Sequence, residues 1–272
     1  MIHERVRLSE NYPCVKGGEI EILCMENPSG REGFARPMVI VVPGGAYRFV
    51  SAREGAPIAS DFFAEGYQVC VLKYLCSEQG ASYPEQLFEL AAAVDYIKAN
   101  AKRLAVNPEE IFAVGFSAGG HLVADYSIEY PTLNEKRGTA LNAAITAVGL
   151  CYPVIDDHEE SFDNLLCGYT GEEKAALKDS LRLTTRVRST LPPTFLWTTA
   201  EDRLVPPQNT LRYALALADH GVPYELHVYP KGGHGMANGS PEINDDLEAA
   251  AILSVWTKDM ARFFRSYCRE EM

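Results

Sequence analysis

The sequence predicts an α/β fold, a mostly parallel β-sheet with helices on both faces. Three observations carry this. Short β-rich runs recur along the chain, stretches with helical spacing lie between several of them, and 272 residues are enough to bury a sizeable core. The β-rich runs are residues 19–24, 38–42, 67–74, 111–115, 144–150, 194–199 and 224–229. Between the third and fourth, Leu87, Leu90, Ala91, Val94, Ile97, Ala101 and Leu104 follow helical spacing, with Pro84 placed where an early helical position tolerates it. Ile252, Val255, Trp256, Met260 and Phe263 repeat that spacing near the C-terminus. Strands alternating with helices favour parallel pairing, because each crossover lays a helix on a sheet face.

One domain, residues 1–272, accounts for this pattern. Residues 156–190 interrupt the rhythm: an acidic start at Asp156-Asp157-His158-Glu159-Glu160 is followed by Phe162, Leu165, Leu166 and Tyr169, then a charged stretch. This segment reads as a small helical cap inserted over the site, or as a solvated connector.

Composition narrows the function. Acidic residues number 37 against 25 basic ones, giving a formal charge of −12 that repels polyanions, so no nucleic-acid partner is expected. Residues 1–18 are mixed and charged and lack the apolar stretch of a signal peptide. No run approaches the roughly 18 apolar residues of a membrane span, so a cytoplasmic protein without a membrane partner is the expectation. The seven cysteines, at 14, 24, 70, 76, 151, 167 and 268, are odd in number and mostly lie in apolar runs, which reads as reduced, buried thiols.

The chemistry concentrates at Gly115-Phe116-Ser117-Ala118-Gly119, directly after the apolar run Ile111-Phe112-Ala113-Val114. A G-x-S-x-G sequence between strand and helix sets a serine on a turn so tight that side chains at the flanking glycines would collide with neighbouring chain. Such a serine needs a base, and the base needs a group that fixes its tautomer. In parallel sheets these groups belong on loops after the carboxyl ends of strands. His234, in Lys231-Gly232-Gly233-His234-Gly235, follows the last β-run and is the expected base. Asp202 follows the run at 194–199 and is the expected acid, with Glu201 as the neighbouring alternative and Asp156 or Asp157 less suited because they precede the cap. His121, four residues past the serine, reads as a structural hydrogen-bonding residue that points away from it. For an oxyanion, Ala118 supplies the backbone N–H after the serine, and Pro43-Gly44-Gly45-Ala46-Tyr47 follows a strand and lets backbone approach a carbonyl closely. Tyr47, Arg48 and Phe49 extend that loop and are candidates to line the acyl or alcohol side.

With these residues in place, the chain resembles the α/β-hydrolases of the esterase/lipase branch. It is most similar to bacterial acetyl esterase, acetyl-xylan esterase-like and feruloyl esterase-like enzymes. The resemblance runs from about Ile20 to Phe264 and rests on five anchors. They are Pro-Gly-Gly-Ala-Tyr at 43–47, Gly-Tyr-Gln-Val at 66–69, and Asn107-Pro108-Glu109-Glu110-Ile111 leading into Gly-Phe-Ser-Ala-Gly-Gly-His. Leu191-Pro192-Pro193-Thr194 leading to Glu201-Asp202, and Gly-Gly-His-Gly at 232–235, complete them. Hormone-sensitive-lipase-like relatives usually carry histidine where this chain has Pro43, which favours the acetyl-esterase-like group. The resemblance implies an α/β-hydrolase fold with a sheet of about eight mostly parallel strands, Ser117 as nucleophile, Asp202 and His234 as its partners, and Gly45, Ala46 and Ala118 at the oxyanion. It implies neither a metal nor an organic cofactor.

The sequence holds no G-x-x-x-x-G-K-[ST], G-x-G-x-x-G or H-E-x-x-H. The leading expectation is a serine esterase that removes short acyl groups, acetyl groups on sugars or glycans among them, from a small-molecule ester substrate. A peptidase or arylformamidase would use the same triad, and a non-catalytic small-molecule-binding protein could share the fold.

Overall fold

The computed structural model describes residues 1–156 and 158–269. One eight-stranded sheet organises them. In chain order its strands are β1 (Ile2–Arg7), β2 (Glu19–Cys24), β3 (Arg36–Val42), β4 (Gln68–Lys73), β5 (Val106–Phe116), β6 (Ala147–Cys151), β7 (Thr194–Thr199) and β8 (Tyr224–Tyr229). The spatial order is β1-β2-β4-β3-β5-β6-β7-β8. β1 and β2 pair antiparallel, as do β2 and β4, and every remaining pair is parallel. The helices are α1 (Leu8–Asn11), α2 (Ala56–Ala64), α3 (Glu85–Ala99), α4 (Ala101–Leu104), α5 (Ala118–Arg137), α6 (Glu159–Leu165), α7 (Gly171–Ser180), α8 (Gln208–Asp219), α9 (Leu247–Leu253) and α10 (Trp256–Arg265).

The period-two geometry of a strand divides the core into two layers. On β3, Met38, Ile40 and Val42 join one cluster with residues of α3, α5 and α8. Val39 and Val41 point the other way, into a cluster with α2, α9 and α10. β6 and β7 are buried throughout, and β3 from Met38 onward, because both of their faces are covered.

Three elements differ from the sequence reading. β1 was not among the expected strands; only its alternate residues are half-buried, the pattern of an edge strand with one face in water. The helix expected over 84–104 stops at Ala99, and a separate turn, α4, follows Asn100. The helical pattern near the C-terminus breaks between Leu253 and Trp256, which leaves Val255 49% exposed rather than in the core. All seven cysteines are free, and four of them, Cys24, Cys70, Cys76 and Cys151, are buried. Burial pushes the Cys24 and Cys76 thiols up to about 12, so neither is a reactive thiolate at neutral pH. Among the described residues, no helix is long and apolar enough to cross a membrane.

Trp256 opens α10 and links this layer to the loop after β8. Its ring packs on Phe62, Phe116 and Trp197, and its indole N–H donates to the Ala237 carbonyl at 2.9 Å. Trp256→Ala is therefore expected to lose about 3–5 kcal/mol of stability, the range for truncating a buried aromatic. Urea unfolding would measure it, and a loss under about 1 kcal/mol would show that the layer closes around the gap.

Candidate active site

The parallel strands β5, β7 and β8 end at the same edge of the sheet, and the loops leaving them meet there. Ser117 stands between β5 and α5 with φ 52° and ψ −117°, a conformation that a non-glycine residue adopts only when its surroundings enforce it. Those surroundings are visible. Its N–H donates to the Cys151 carbonyl at 3.0 Å, and its own carbonyl accepts from the N–H groups of Val154 at 3.0 Å and His121 at 3.1 Å. A Cβ on Gly115 would lie 2.3 Å from the Gly119 carbonyl oxygen, and one on Gly119 would lie 2.2 Å from that of Val42. The turn can close only with glycine at both positions.

Ser117 Oγ is 2.8 Å from His234 Nε2, and His234 Nδ1 is 2.7 Å from Asp202 Oδ2. A carboxylate only accepts, so Nδ1 carries the proton and Nε2 is left to accept from the serine hydroxyl. The Asp202 side chain is fully buried, and its Oδ1 accepts from the N–H groups of Leu204 at 3.0 Å and Val205 at 2.9 Å. Those two bonds fix which oxygen faces the histidine. The loop carrying His234 is tied to β7 by Thr199 Oγ1, which donates to the Gly232 carbonyl at 2.7 Å. Glu201 takes a different place from Asp202: it accepts from Lys231 Nζ at 3.2 Å and from the Gly232 N–H at 3.3 Å, on the outside of that loop.

Facing Ser117 is the loop after β3. Gly45 has φ 121°, and a Cβ there would lie 2.0 Å from the Phe49 carbonyl oxygen, so only glycine fits. The N–H groups of Gly45 and Ala46 donate to no other described residue. That of Ala118 opens α5, where a helix has no acceptor of its own to offer. Ala46 and Tyr47 also have positive φ, as do Tyr152 and Ala237. Among the described residues, five of the six non-glycine residues with positive φ thus lie on the loops that meet at Ser117.

Tyr47 departs from the sequence reading. It is 1% exposed, and its hydroxyl lies 2.9 Å from His121 Nδ1, so its side chain belongs to the core and does not line an acyl or alcohol pocket. Arg48 does point outward, 3.8 Å from both Glu78 and Glu160, and Phe49 is 41% exposed. A cavity of 1030 Å³ lies behind this loop, lined by Phe49, Val50, Pro43, Val69 and Val71, but neither Ser117 nor His234 borders it. A polar pocket of 340 Å³, lined by Asp156, His158, Glu159, Lys178 and Leu204, lies where residues 156–190 approach the Asp202 loop. Asp157 lies outside the described residues.

His121 is the clamp between the glycine loop and the 156–190 segment. The Leu181 carbonyl can only accept, so Nε2 donates to it at 3.0 Å and Nδ1 accepts from Tyr47. Asn164 adds a second tie, donating to the Ala46 carbonyl at 3.0 Å. Burial, helped by the Arg186 charge, lowers the His121 pKa to about 4. The unfolded chain takes up this proton near pH 6.5, so between those values it holds the extra proton and stability falls as pH falls. The loss reaches about 3 kcal/mol once the folded value of about 4 is passed. Buried Glu89, raised to about 8, acts with the opposite sign, so the informative quantity is a difference. Wild type is expected to lose its advantage over His121→Gln between pH 6.5 and 4 in urea unfolding, and a difference constant with pH would refute this.

The sequence reading missed Glu54 and Tyr152. Each is buried beside the site, Glu54 against the Gly44 N–H and Tyr152 with its ring 5.0 Å from that of His234. A lone acid in Arg53-Glu54-Gly55 gives no local sign of burial, because its partners come from distant loops.

The strand order and the strand–turn–helix at Ser117 define an α/β-hydrolase fold, and known structures agree. The carboxylesterase Cest-2923 of Lactobacillus plantarum superposes with a TM-score of 0.84 at 29% identity, over 98% of each chain. An acetyl ester-xyloside bifunctional hydrolase of Caldicellulosiruptor lactoaceticus gives 0.80 at 29% identity, over 97% of this chain and 96% of the other. The chain belongs to the BD-FAE family, whose model matches residues 25–217. An acetylxylan esterase of Xylanibacter ruminicola is 32% identical over 237 residues, covering 82% of this chain and 45% of that protein. The chain spans between about a third and three fifths of the length of the curated relatives it matches.

Proposed function

We propose that this chain is a serine carboxylic ester hydrolase that removes short acyl groups, acetyl groups on sugars in particular. The observation that carries the reading is the unbroken line from Ser117 Oγ through His234 to Asp202, at 2.8 and 2.7 Å. His234 Nε2 takes the hydroxyl proton as Ser117 Oγ attacks the ester carbonyl. The N–H groups of Ala118 and of Gly45 or Ala46 receive the resulting oxyanion. Collapse breaks the ester bond, the departing alcohol takes the proton from His234, and the acyl group stays on Ser117. Water, activated by the same histidine, then releases the carboxylic acid and restores the serine.

Two further observations support an acetylated sugar as substrate. Ser117 is only 8% exposed, which suits a small acyl group, and the polar 340 Å³ pocket beside the Asp202 loop offers donors and acceptors for hydroxyl groups. The similarity to proteins named as an acetylxylan esterase and an acetyl ester-xyloside hydrolase points the same way. In this reading residues 156–190 act as a small cap over the alcohol side.

The test is a panel of p-nitrophenyl acetate, p-nitrophenyl octanoate, acetylated xylose and an acyl-peptide, run beside covalent labelling with a fluorophosphonate. The expected result is a preference for acetate esters, hydrolysis of acetylated xylose, and a label at Ser117. Absence of both ester turnover and label would overturn the reading, and a preference for the acyl-peptide would replace it with a peptidase.

A further inference from the structure

Glu54 is a buried carboxylate without a described basic side chain in ion-pair contact, placed behind the loop that faces Ser117. It ends a short 3₁₀ turn (Ala52–Glu54) and is 4% exposed. Its two oxygens go to two different loops. Oε2 accepts from the Gly44 N–H at 2.8 Å, and Oε1 accepts from the Tyr152 hydroxyl at 2.7 Å. That hydroxyl in turn accepts from the N–H of Ala237, three residues past His234, at 3.1 Å. The Tyr152 ring stands edge-on to the His234 ring, with centroids 5.0 Å apart.

A surface acid would serve the fold as well, and leaving a carboxylate dry is expensive unless its oxygens are occupied. Here both are occupied, by groups whose positions decide whether an oxyanion could be met. Tyr152 and Ala237 have positive φ, and such conformations persist only where neighbours hold them.

We propose that Glu54 and Tyr152 form one positioning unit, in which a single carboxylate fixes the glycine loop against Ser117 and, through the tyrosine hydroxyl, the loop that carries His234. Neither residue touches the reacting atoms. The proposal rests on the reading of Ser117 and His234 as the reacting pair. If that reading holds, the carboxylate also stands near the positive charge His234 would acquire during the reaction. The groups around His234 are Asp202 on Nδ1, Ser117 on Nε2, Tyr152 on its ring face and, farther out, His158; around Glu54 they are Gly44, Tyr152, His234 and, farther out, Arg53, Tyr74 and Cys151.

The two residues can be separated by substitution. Glu54→Gln removes the charge and puts a donor where Tyr152 now finds an acceptor, so the tyrosine hydroxyl must give up its donated bond and only accept. Tyr152→Phe keeps the ring and the Glu54 charge but cuts the tie to Ala237. Both variants are expected to lower kcat for p-nitrophenyl acetate by about tenfold or more with KM within about twofold, the pattern of a group that acts on the transition state alone. The double variant should be no worse than the poorer single one, because both substitutions break the same unit.

The downfield proton resonance of His234 Nδ1–H, followed by NMR against pH, adds a readout independent of turnover. Glu54→Gln should move that resonance, because a negative charge beside the ring is removed, and Tyr152→Phe, which keeps that charge, should move it less. Single-variant kcat within about twofold of wild type, additive losses in the double variant, or an unmoved His234 resonance in Glu54→Gln would each overturn the proposal. If wild type neither hydrolyses esters nor labels at Ser117, the functional reading fails by itself, while the resonance still reports whether Glu54 acts on His234.

Discussion

Ser117→Ala is expected to lower kcat for p-nitrophenyl acetate by about 10⁶, the loss found when a catalytic serine is removed from a hydrolase of another fold. The reason is geometric. His234 Nε2 has one hydrogen-bond donor in front of it, the Ser117 hydroxyl, and alanine leaves the base with nothing to deprotonate. The fold should be indifferent, because the strained backbone at 117 is held by main-chain bonds to Cys151, Val154 and His121 that alanine also makes. An unchanged Tm and m-value beside a lost activity is thus the expected pair of results. A variant that keeps a tenth of wild-type turnover would exclude Ser117 as nucleophile.

Much of this arrangement was legible because parallel sheets impose an order. Strands ending at one edge send their loops to one place, so an acid after the run at 194–199 and a histidine after the run at 224–229 had to approach a serine after the run at 111–115. The structure brings Ser117, His234 and Asp202 within hydrogen-bond distance in that way. His121 was also legible in kind: on α5 it turns away from Ser117, into Tyr47 and Leu181.

What was not legible depended on distant partners or weak local patterns. β1 shows little apolar periodicity, since Glu4 occupies one of its three inward positions and is held there by Arg103, 99 residues away. Tyr47 follows two glycines and reads as part of an open loop, yet its hydroxyl is drawn inward by a histidine 74 residues later. The break before Trp256 leaves apolar spacing intact on paper while turning Val255 to solvent. Glu54 is the extreme case. Nothing in its neighbourhood separates it from the many surface acids of a chain with charge −12, and its burial follows only once Gly44 and Tyr152 are placed.

Asp202→Asn is expected to cost about 10⁴ in kcat while leaving the fold intact, as the corresponding change does in a serine protease. An asparagine can satisfy Leu204 and Val205 only by turning its oxygen toward their N–H groups, where Asp202 Oδ1 now accepts at 3.0 and 2.9 Å. Its amide nitrogen then faces His234 Nδ1, which lies 2.7 Å from Oδ2 in the native site. Two donors cannot share that bond, so the imidazole must move its proton to Nε2. That tautomer presents an N–H to the Ser117 hydroxyl and cannot take its proton. Flipping the amide would restore the histidine bond but set an NH₂ group against two backbone N–H donors, so the flip gives no escape. Glu201→Gln is the matched control. Glu201 is 49% exposed on its side chain and binds Lys231 and Gly232 outside the loop, so its variant should stay within about fivefold of wild type. Steady-state kinetics on the two variants, with thermal unfolding alongside, decides between the neighbours. If Glu201→Gln is the damaged one and Asp202→Asn is not, the acid has been assigned to the wrong residue.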